Sequence, residues 1–192
     1  MRYDPGRDLG WLLLRPWVAI PRLVQVLWSL AGLVLVLLLR GGSNDPAVQQ
    51  GLARRILNTL TGLGPCFIKL GQALSTRPDL VRRDWLEELT RLQDDLPAFP
   101  HATALACIRE ELGAPAEELF EEFPDTPIAA ASLGQVYKAR LQGQHWVAVK
   151  VQRPNLTFIL RRDLVLIRAL GVMTAPLLPL NLGFGLGGII DE

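Results

Sequence analysis

The chain has 192 residues, a hydrophobic content of 49% and a formal net charge of +1. This length and composition suffice for one domain of ordinary size with an appendage. The near-neutral charge and the lack of a long basic stripe argue against nucleic acid as a partner. Cys66 and Cys107 have no metal-ligand spacing, and His101 and His145 lie too far apart to complete a site. We therefore expect no metal ligands among them, and reduced, buried cysteines.

Residues 1–42 are predicted to associate with a membrane. Leu23 to Leu39 is an uncharged run of 17 residues, preceded by Arg22 and closed by Arg40. Seventeen residues lie at the short limit for a helix that crosses a bilayer. Three tryptophans suited to a membrane interface lie in or before the run: Trp11, Trp17 and Trp28. Three alternatives remain open, namely a spanning helix, an anchor in the membrane plane, and a core helix of the folded domain.

Residues 43–124 are predicted to form a helical extension. An amphipathic helix is expected over 47–59, with an apolar stripe made by Val48, Leu52, Ile56 and Leu60. It is expected to break at Gly62 and Gly64. The next helix carries the sequence Lys69-x-Gly71-Gln72 and places Lys69 and Gln72 on one face together with Thr76. Glycine inside a helix costs about 1 kcal/mol relative to alanine, so we expect another backbone to pass close to Gly71.

Two further helices complete the extension. The first covers residues 84–93, with an inner side formed by Trp85, Leu89 and Leu92. The second covers residues 101–112, with an inner side formed by Leu105, Ile108 and Leu112. Gly113 follows directly, and glycine is common just after the end of a helix.

Residues 125–192 begin with the pattern strand, small-residue loop, strand, turn, strand. Protein kinases hold ATP in this layout, with a loop over the phosphates and a lysine from the third strand. Small side chains let backbone N–H groups approach an anion, and a lysine adds a point charge. Alternation puts Trp146, Ala148 and Lys150 on one face of the last strand and its valines on the other. The predicted nucleotide-binding residues are Ala129, Ala130, Ala131, Ser132, Gly134, Val136, Ala148 and Lys150, of which Lys150 is also the predicted catalytic residue.

Plainer alternatives exist for the same residues. The alanines could form an ordinary tight turn, and Lys150 could be a surface lysine at a strand end.

A helix is predicted over 154–170, with leucines inward and Arg161, Arg162 and Arg168 outward. The apolar segment 175–190 is expected to pack against another part of a longer protein or to form a loop.

Taken together, these motifs resemble the UbiB/AarF/ADCK family of atypical kinases. The resemblance covers residues 52–162 and rests on Lys69-x-Gly71-Gln72, the stretch from Ser75 to Leu80, Leu92-Gln-Asp94, residues 129–136 (called the alanine loop below) and Val147-Ala-Val-Lys150. It implies an α+β fold, in which a protein-kinase-like small lobe of antiparallel strands follows the helical extension and the N-terminal hydrophobic helix. It also implies ATP binding and a role in isoprenoid-quinone or other lipid metabolism at a membrane. By the same resemblance, Lys69, Gly71 and Gln72 cover the active site and restrict access to it.

The family's later motifs do not occur in this sequence. They comprise a catalytic-loop aspartate with an asparagine and an Asp-Phe-Gly aspartate that holds magnesium. The family also has a helix glutamate that pairs with the strand lysine, and Asp191-Glu192 lie about where that helix would begin without being assigned to the role. We therefore expect a truncated chain, inactive by itself, with ATP and magnesium as cofactors and the magnesium ligands outside it. The expected partners are ATP and a membrane lipid or isoprenoid-quinone precursor, with the kinase-like part facing the cytoplasm. The alternative is a non-catalytic, membrane-anchored module, or remnant, that binds a nucleotide or lipid.

Overall fold

The structure is a computed structural model that describes residues 5–79, 81–94, 96–143 and 145–174. Its helices are α1 (Pro5–Leu13), α2 (Pro16–Arg40), α3 (Pro46–Leu63), α4 (Pro65–Ser75), α5 (Arg83–Asp94), α6 (His101–Leu112), α7 (Ala116–Leu119) and α8 (Leu156–Thr174). Its strands are β1 (Phe120–Glu122), β2 (Ala129–Ala130), β3 (Gly134–Leu141) and β4 (Trp146–Gln152). The expectation for residues 175–190 lies outside the described residues.

The strands form one antiparallel sheet with β3 at its centre. β4 pairs along one edge of β3, and Val136 lies directly opposite Lys150. On the other edge, β2 pairs with the start of β3 and β1 pairs with its end. The predicted order of strand, loop, strand, turn and strand is confirmed, whereas β1 was not predicted. Three residues carry too little alternation to reveal a strand.

Two main hydrophobic clusters hold the structure together. The first joins α2, α3, α4 and α5 through residues such as Val26, Leu60, Phe67, Leu89 and Leu92, and part of α8 packs against it. It therefore combines residues from all three predicted segments of the chain. The second cluster lies between α6 and the sheet, and it includes Ile108, Phe120, Tyr137 and Val151. A smaller cluster joins α1 to α8 through Leu12, Val165 and Leu166.

The predicted helices are present, with small differences at their ends. The carboxylate of Asp45 accepts a hydrogen bond from the N–H of Ala47 and so caps the start of α3. α3 runs through Gly62 and ends before Gly64, whose φ is +96°, so the break predicted at Gly62 is wrong. Gly113 follows α6 in a left-handed conformation as predicted. Leu112, by contrast, is 58% exposed, and its predicted inward position is wrong.

The reason proposed for Gly71 is also wrong. A Cβ atom added at Gly71 would collide with Cδ1 of Leu92 and Cδ1 of Leu60. The close neighbours of this glycine are therefore leucine side chains from α5 and α3, and no other backbone segment is among its three nearest atoms. Gly71 allows three helices to pack tightly at one point.

α8 differs from its prediction in the positions of its arginines. Nε of Arg161 donates to Oδ1 of Asp8 at 2.5 Å, and Nε of Arg162 donates to Oδ1 of Asp163 at 2.7 Å. Both arginine side chains are largely buried, with exposed fractions of 19% and 18%. Their predicted outward positions are wrong because each side chain turns toward a carboxylate, Asp8 of α1 for Arg161 and the neighbouring Asp163 for Arg162.

The two cysteines are free thiols with different environments. Cys66 is buried in the first cluster as predicted, and burial together with the nearby charge of Asp163 raises the pKa of its thiol to about 12. Cys107 is only partly buried. Burial also raises the pKa of Cys107, with a contribution from Glu110.

Candidate nucleotide-binding site

The predicted lysine-bearing face of the sheet is open. Ala148 and Lys150 are exposed, and Val136 on the neighbouring strand is partly exposed. On the opposite face, Tyr137 and Val151 are buried in the second cluster. The predicted alternation along β4 is therefore confirmed, because its valines cover the core while Ala148 and Lys150 point away from it. The sheet thus presents an aliphatic surface with one ammonium group beside it.

The ammonium group of Lys150 is not neutralised within the described residues. Each ion pair there is formed by an arginine or by His101, with a carboxylate as the partner. The other lysine of this face, Lys138, lies over the ring of Trp146, with 4.8 Å between Nζ and the ring centroid. Lys150 is therefore the lysine of this face that is free to meet an anion.

The alanine loop connects β2 to β3 through a tight turn. The N–H of Ala131 donates to the carbonyl of Gly134 at 2.7 Å, which closes the turn. Ala129 and Ala131 are exposed, and Ala130 is partly exposed. Ser132 is only 6% exposed, so its side chain lies inside the protein. The alanines are thus at the surface where a ligand could reach them, while Ser132 is not.

Close packing against β4 explains why residue 134 is a glycine, and the sequence did not indicate this contact. A Cβ atom at this position would lie 2.5 Å from the carbonyl oxygen of Val151 and 3.1 Å from Cα of Gln152. The glycine therefore lets β3 begin close against the backbone of β4. Its first role is to set the spacing between the loop and the strand that carries Lys150.

Arg153 fastens the alanine loop from the inner side, and sequence reasoning missed it. Its backbone N–H donates to the carbonyl of Leu133 at 2.9 Å, and its Nε donates to the carbonyl of Ser132 at 3.1 Å. Its Nη2 donates to the carbonyl of Pro97 at 3.1 Å. Burial lowers the pKa of this guanidinium, although arginine stays charged at neutral pH. A basic residue after a strand gives no sequence signal for such backbone contacts.

Gln135 forms a second link between the loop region and the helical extension. Its Oε1 accepts from the N–H of Phe99 at 3.0 Å, and its Nε2 donates to the carbonyl of Phe99 at 3.3 Å. Nε2 also donates to the hydroxyl of Tyr137 at 2.5 Å. Gln135 is 1% exposed, so these bonds satisfy a buried amide. The segment that follows α5 is thereby held against β3.

The three residues predicted to cover the active site lie on α4. Nε2 of Gln72 donates to the carbonyl of Leu92 at 2.7 Å, so this side chain joins α4 to α5. Gly71 is buried at the same contact. Lys69 is exposed, one turn before Gln72. Gly71 and Gln72 therefore hold the helices together, and α4 packs in the first cluster, whereas the lysine-bearing sheet packs on the second.

A cavity of about 930 Å³ borders the end of β4. Lys150 lines it from β4 and Arg153 from just after that strand, while Glu110 and Glu111 line it from the end of α6 and Phe158 from the start of α8. Within the described ranges, β3 is the strand that pairs with β4, which leaves the other edge of β4 beside this cavity. The cavity has charges of both signs and reaches the residue proposed to bind an anion.

Among the described residues, no group of three or more histidine, cysteine, aspartate or glutamate side chains is placed to hold a metal ion. Magnesium prefers carboxylate oxygens together with phosphate oxygens. The open face offers Val136 and Ala148 for apolar contact and Lys150 for charge.

A small antiparallel sheet with an open, lysine-bearing face, preceded by packed helices, is the small lobe of a kinase-like protein. Comparison with known families agrees, since residues 91–181 match the ABC1 atypical kinase-like domain. Over these residues the chain is similar to the ABC1 atypical kinase-like domain.

Relatives with substantial sequence identity occur in cyanobacteria and plants. The chain is 45% identical to the uncharacterized protein slr1919 of Synechocystis over 192 residues, which is all of this chain and 34% of the relative. It is 46% identical to ACTIVITY OF BC1 COMPLEX KINASE 3, chloroplastic, of Arabidopsis thaliana over 162 residues, covering 82% of this chain and 22% of the relative. The chain thus spans about a third or less of these relatives' length.

One solved structure with similarity to the chain is the complex of Rv3197 with erythromycin from Mycobacterium tuberculosis. The sequence identity is 35%, and the match covers 64% of this chain and 31% of that one, with a TM-score of 0.37.

Proposed function

We propose that this chain supplies the nucleotide-binding part of an ATP-dependent atypical kinase or ATPase. The observation that carries the proposal is the open sheet face, on which Val136 lies directly opposite Lys150 and next to the alanine loop. Val136 and Ala148 would contact the base, while Lys150 would place its charge against the phosphates. ATP supplies the phosphoryl group, and these residues only bind and orient it.

The alanine loop supports the same proposal. Ala129 and Ala131 are exposed beside Val136, and a methyl group is small enough for the backbone to approach phosphate oxygens. Arg153 and Gly134 hold the loop at a defined distance from β4. A preformed loop loses less conformational entropy when a nucleotide binds.

The proposal extends to the membrane and to lipid chemistry. Pro16–Arg40 is the helix in the described residues that is long and apolar enough to cross a membrane, with a mean hydropathy of 2.2. We propose that this helix associates the protein with a membrane. A lipid or an isoprenoid-quinone precursor is then the proposed substrate class, because such molecules reside where the helix would hold the enzyme.

Isothermal titration of ATP and of ADP against the chain tests nucleotide binding. We expect Lys150→Ala to weaken binding about tenfold or more, which corresponds to about 1.4 kcal/mol. Lys138→Ala is the matched control, because it removes a lysine from the same sheet face that lies over Trp146 instead. Equal affinity in the wild type and Lys150→Ala would reject the nucleotide site.

A second candidate is a module that binds nucleotide or lipid without turnover, favoured by the lack of a metal-holding cluster in the described residues. We expect the 192-residue chain to bind ATP without hydrolysing it above background. Phosphate release that disappears in Lys150→Ala would contradict this expectation and would make the chain an ATPase by itself.

A further inference from the structure

α2 has two sides that differ sharply in their surroundings. Arg22, Val26 and Leu33 are buried against the rest of the protein, with exposed fractions of 8%, 0% and 8%. At 100° per residue these three positions lie on one side of the helix. Leu30, on the same side, packs against the first cluster. α2 is therefore attached along its length to the folded body.

A buried ion pair holds the first half of α2 in place. Nε of Arg22 donates to Oδ1 of Asp163 at 3.0 Å, and Nη2 donates to Oδ2 at 2.6 Å. The same guanidinium donates to the carbonyl of Leu63 and, at 2.8 Å, to Oε1 of Gln25. Asp163 is fully buried. Moving α2 away from α8 would leave this carboxylate without its bidentate partner, which strongly opposes such a movement.

The opposite side of α2 is an exposed apolar surface, which we call the outer stripe. It consists of Trp17, Ile20, Val24, Trp28, Leu35 and Leu38, whose exposed fractions range from 57% to 81%. Their spacing places them within about 80° of one another around the helix axis. From Trp17 to Leu38 the stripe is about 30 Å long at helical rise. It lies on the side away from Arg22 and Val26.

The chemistry of the outer stripe fits lipid better than protein. Protein interfaces carry about one hydrogen bond per 100–200 Å² and a polar rim. The six side chains of the stripe offer only the two indole N–H groups of Trp17 and Trp28 for such bonds. Lipid tails require none, and tryptophan is enriched where headgroups meet acyl chains. Exposed Arg40, at the end of the helix, suits anionic headgroups.

We propose that α2 lies in the plane of a membrane surface instead of crossing it. The outer stripe enters the boundary between headgroups and acyl chains, to a depth of about 5–10 Å. The buried side stays attached to the folded body through Arg22 and Asp163. The inference rests on the membrane association proposed above and specifies its geometry. It also requires both ends of α2 to remain on the same side of the bilayer.

Vesicle binding tests the stripe. The chain is mixed with vesicles of phosphatidylcholine and phosphatidylglycerol, and the bound fraction is measured by flotation. We expect Val24→Glu combined with Leu35→Glu to reduce the partition coefficient about tenfold or more, because each charge would enter an apolar layer. Leu112→Glu is the matched control, since Leu112 is equally exposed at 58% but belongs to α6. An equal loss in the control would reject the stripe as the binding surface.

Labelling of cysteines distinguishes the two membrane geometries. Gly10→Cys, before α2, and Asn44→Cys, after it, are each made in a Cys107→Ser background, while buried Cys66 is retained. A membrane-impermeant maleimide is added outside preformed vesicles carrying the protein, with and without detergent. We expect both positions to react without detergent. Protection of one position until detergent is added would mean that α2 spans the bilayer, which overturns the in-plane geometry while membrane association stands.

Two other results would overturn the proposal as a whole. If the chain is a monomer in solution and does not bind vesicles, another part of a longer protein covers the stripe. A dimer in solution that Val24→Glu dissociates would mean that a second copy covers it. Sedimentation equilibrium without lipid separates these two cases.

Discussion

The buried pair between Arg22 and Asp163 predicts a large effect of one substitution. Arg22→Met keeps most of the side-chain volume but removes the guanidinium, which leaves Asp163 buried with one remaining partner, Nε of Arg162 at 2.7 Å. Breaking a buried pair typically costs 3–5 kcal/mol. Because Arg162 still donates to the carboxylate, we expect the lower end of that range, about 3 kcal/mol. This is a large share of the stability of an ordinary domain.

Urea denaturation followed by circular dichroism measures this loss, and two further variants calibrate it. Arg82→Met is the matched control, because Arg82 contacts both carboxylate oxygens of Asp84 in the same way at 3.2 and 2.9 Å but at the surface. We expect little or no measurable loss there. Arg22→Met combined with Asp163→Leu should recover part of the stability, since an apolar pair of similar volume often replaces a buried ion pair without loss, whereas Arg162, which is 18% exposed, loses this carboxylate.

The reasoning would be refuted if Arg22→Met cost no more than Arg82→Met. Such a result would mean that water reaches Asp163 and that α2 is free to leave the body. The attachment on which the in-plane geometry depends would then be absent. A large loss in Arg22→Met that the double variant fails to recover would instead indicate that packing, and not the unpaired charge, dominates this site.

Two further predictions concern single positions. Gly134→Ala should destabilise the protein by about 3 kcal/mol, because the new methyl group meets the backbone of Val151; Gly51→Ala, in an open position of α3, should instead stabilise it by up to about 1 kcal/mol, and a thermal melt of both compares them. Cys66 should react with a thiol reagent far more slowly than Cys107 at mildly alkaline pH, since its raised pKa of about 12 keeps the buried thiol protonated. Equal reaction rates would show that the first cluster opens readily.

Much of the local structure could be predicted from the sequence. Apolar residues at spacings of three and four predict helices α3, α5 and α6. Gly113 predicts the end of α6, which the structure confirms. The alternation along β4 gave the faces of Ala148 and Lys150. These features depend on contacts between near neighbours in the chain, so a short window of sequence contains them. The kinase-like small lobe followed from the motifs and their order.

The tertiary structure alone decided what each of several charged or small residues does. Arg22 and Asp163 are 141 residues apart, and neither carries a local signal for the other. Arg153 donates a hydrogen bond to a backbone carbonyl of the alanine loop. Every residue has such a carbonyl, so the pattern of side chains in the sequence does not indicate which one accepts the bond. Gly134 is explained only by the strand that lies against it.

The N-terminal helix α2 shows most clearly which features the sequence determines and which the packing decides. Its composition determined that it is apolar and long enough to meet a membrane, and it left three arrangements open. An apolar run has similar hydropathy on every side, so its sequence cannot say which side is covered. Only packing decided that Val26 faces the core while Trp28 faces outward, because that choice depends on the position of α8 and of the charge on Asp163.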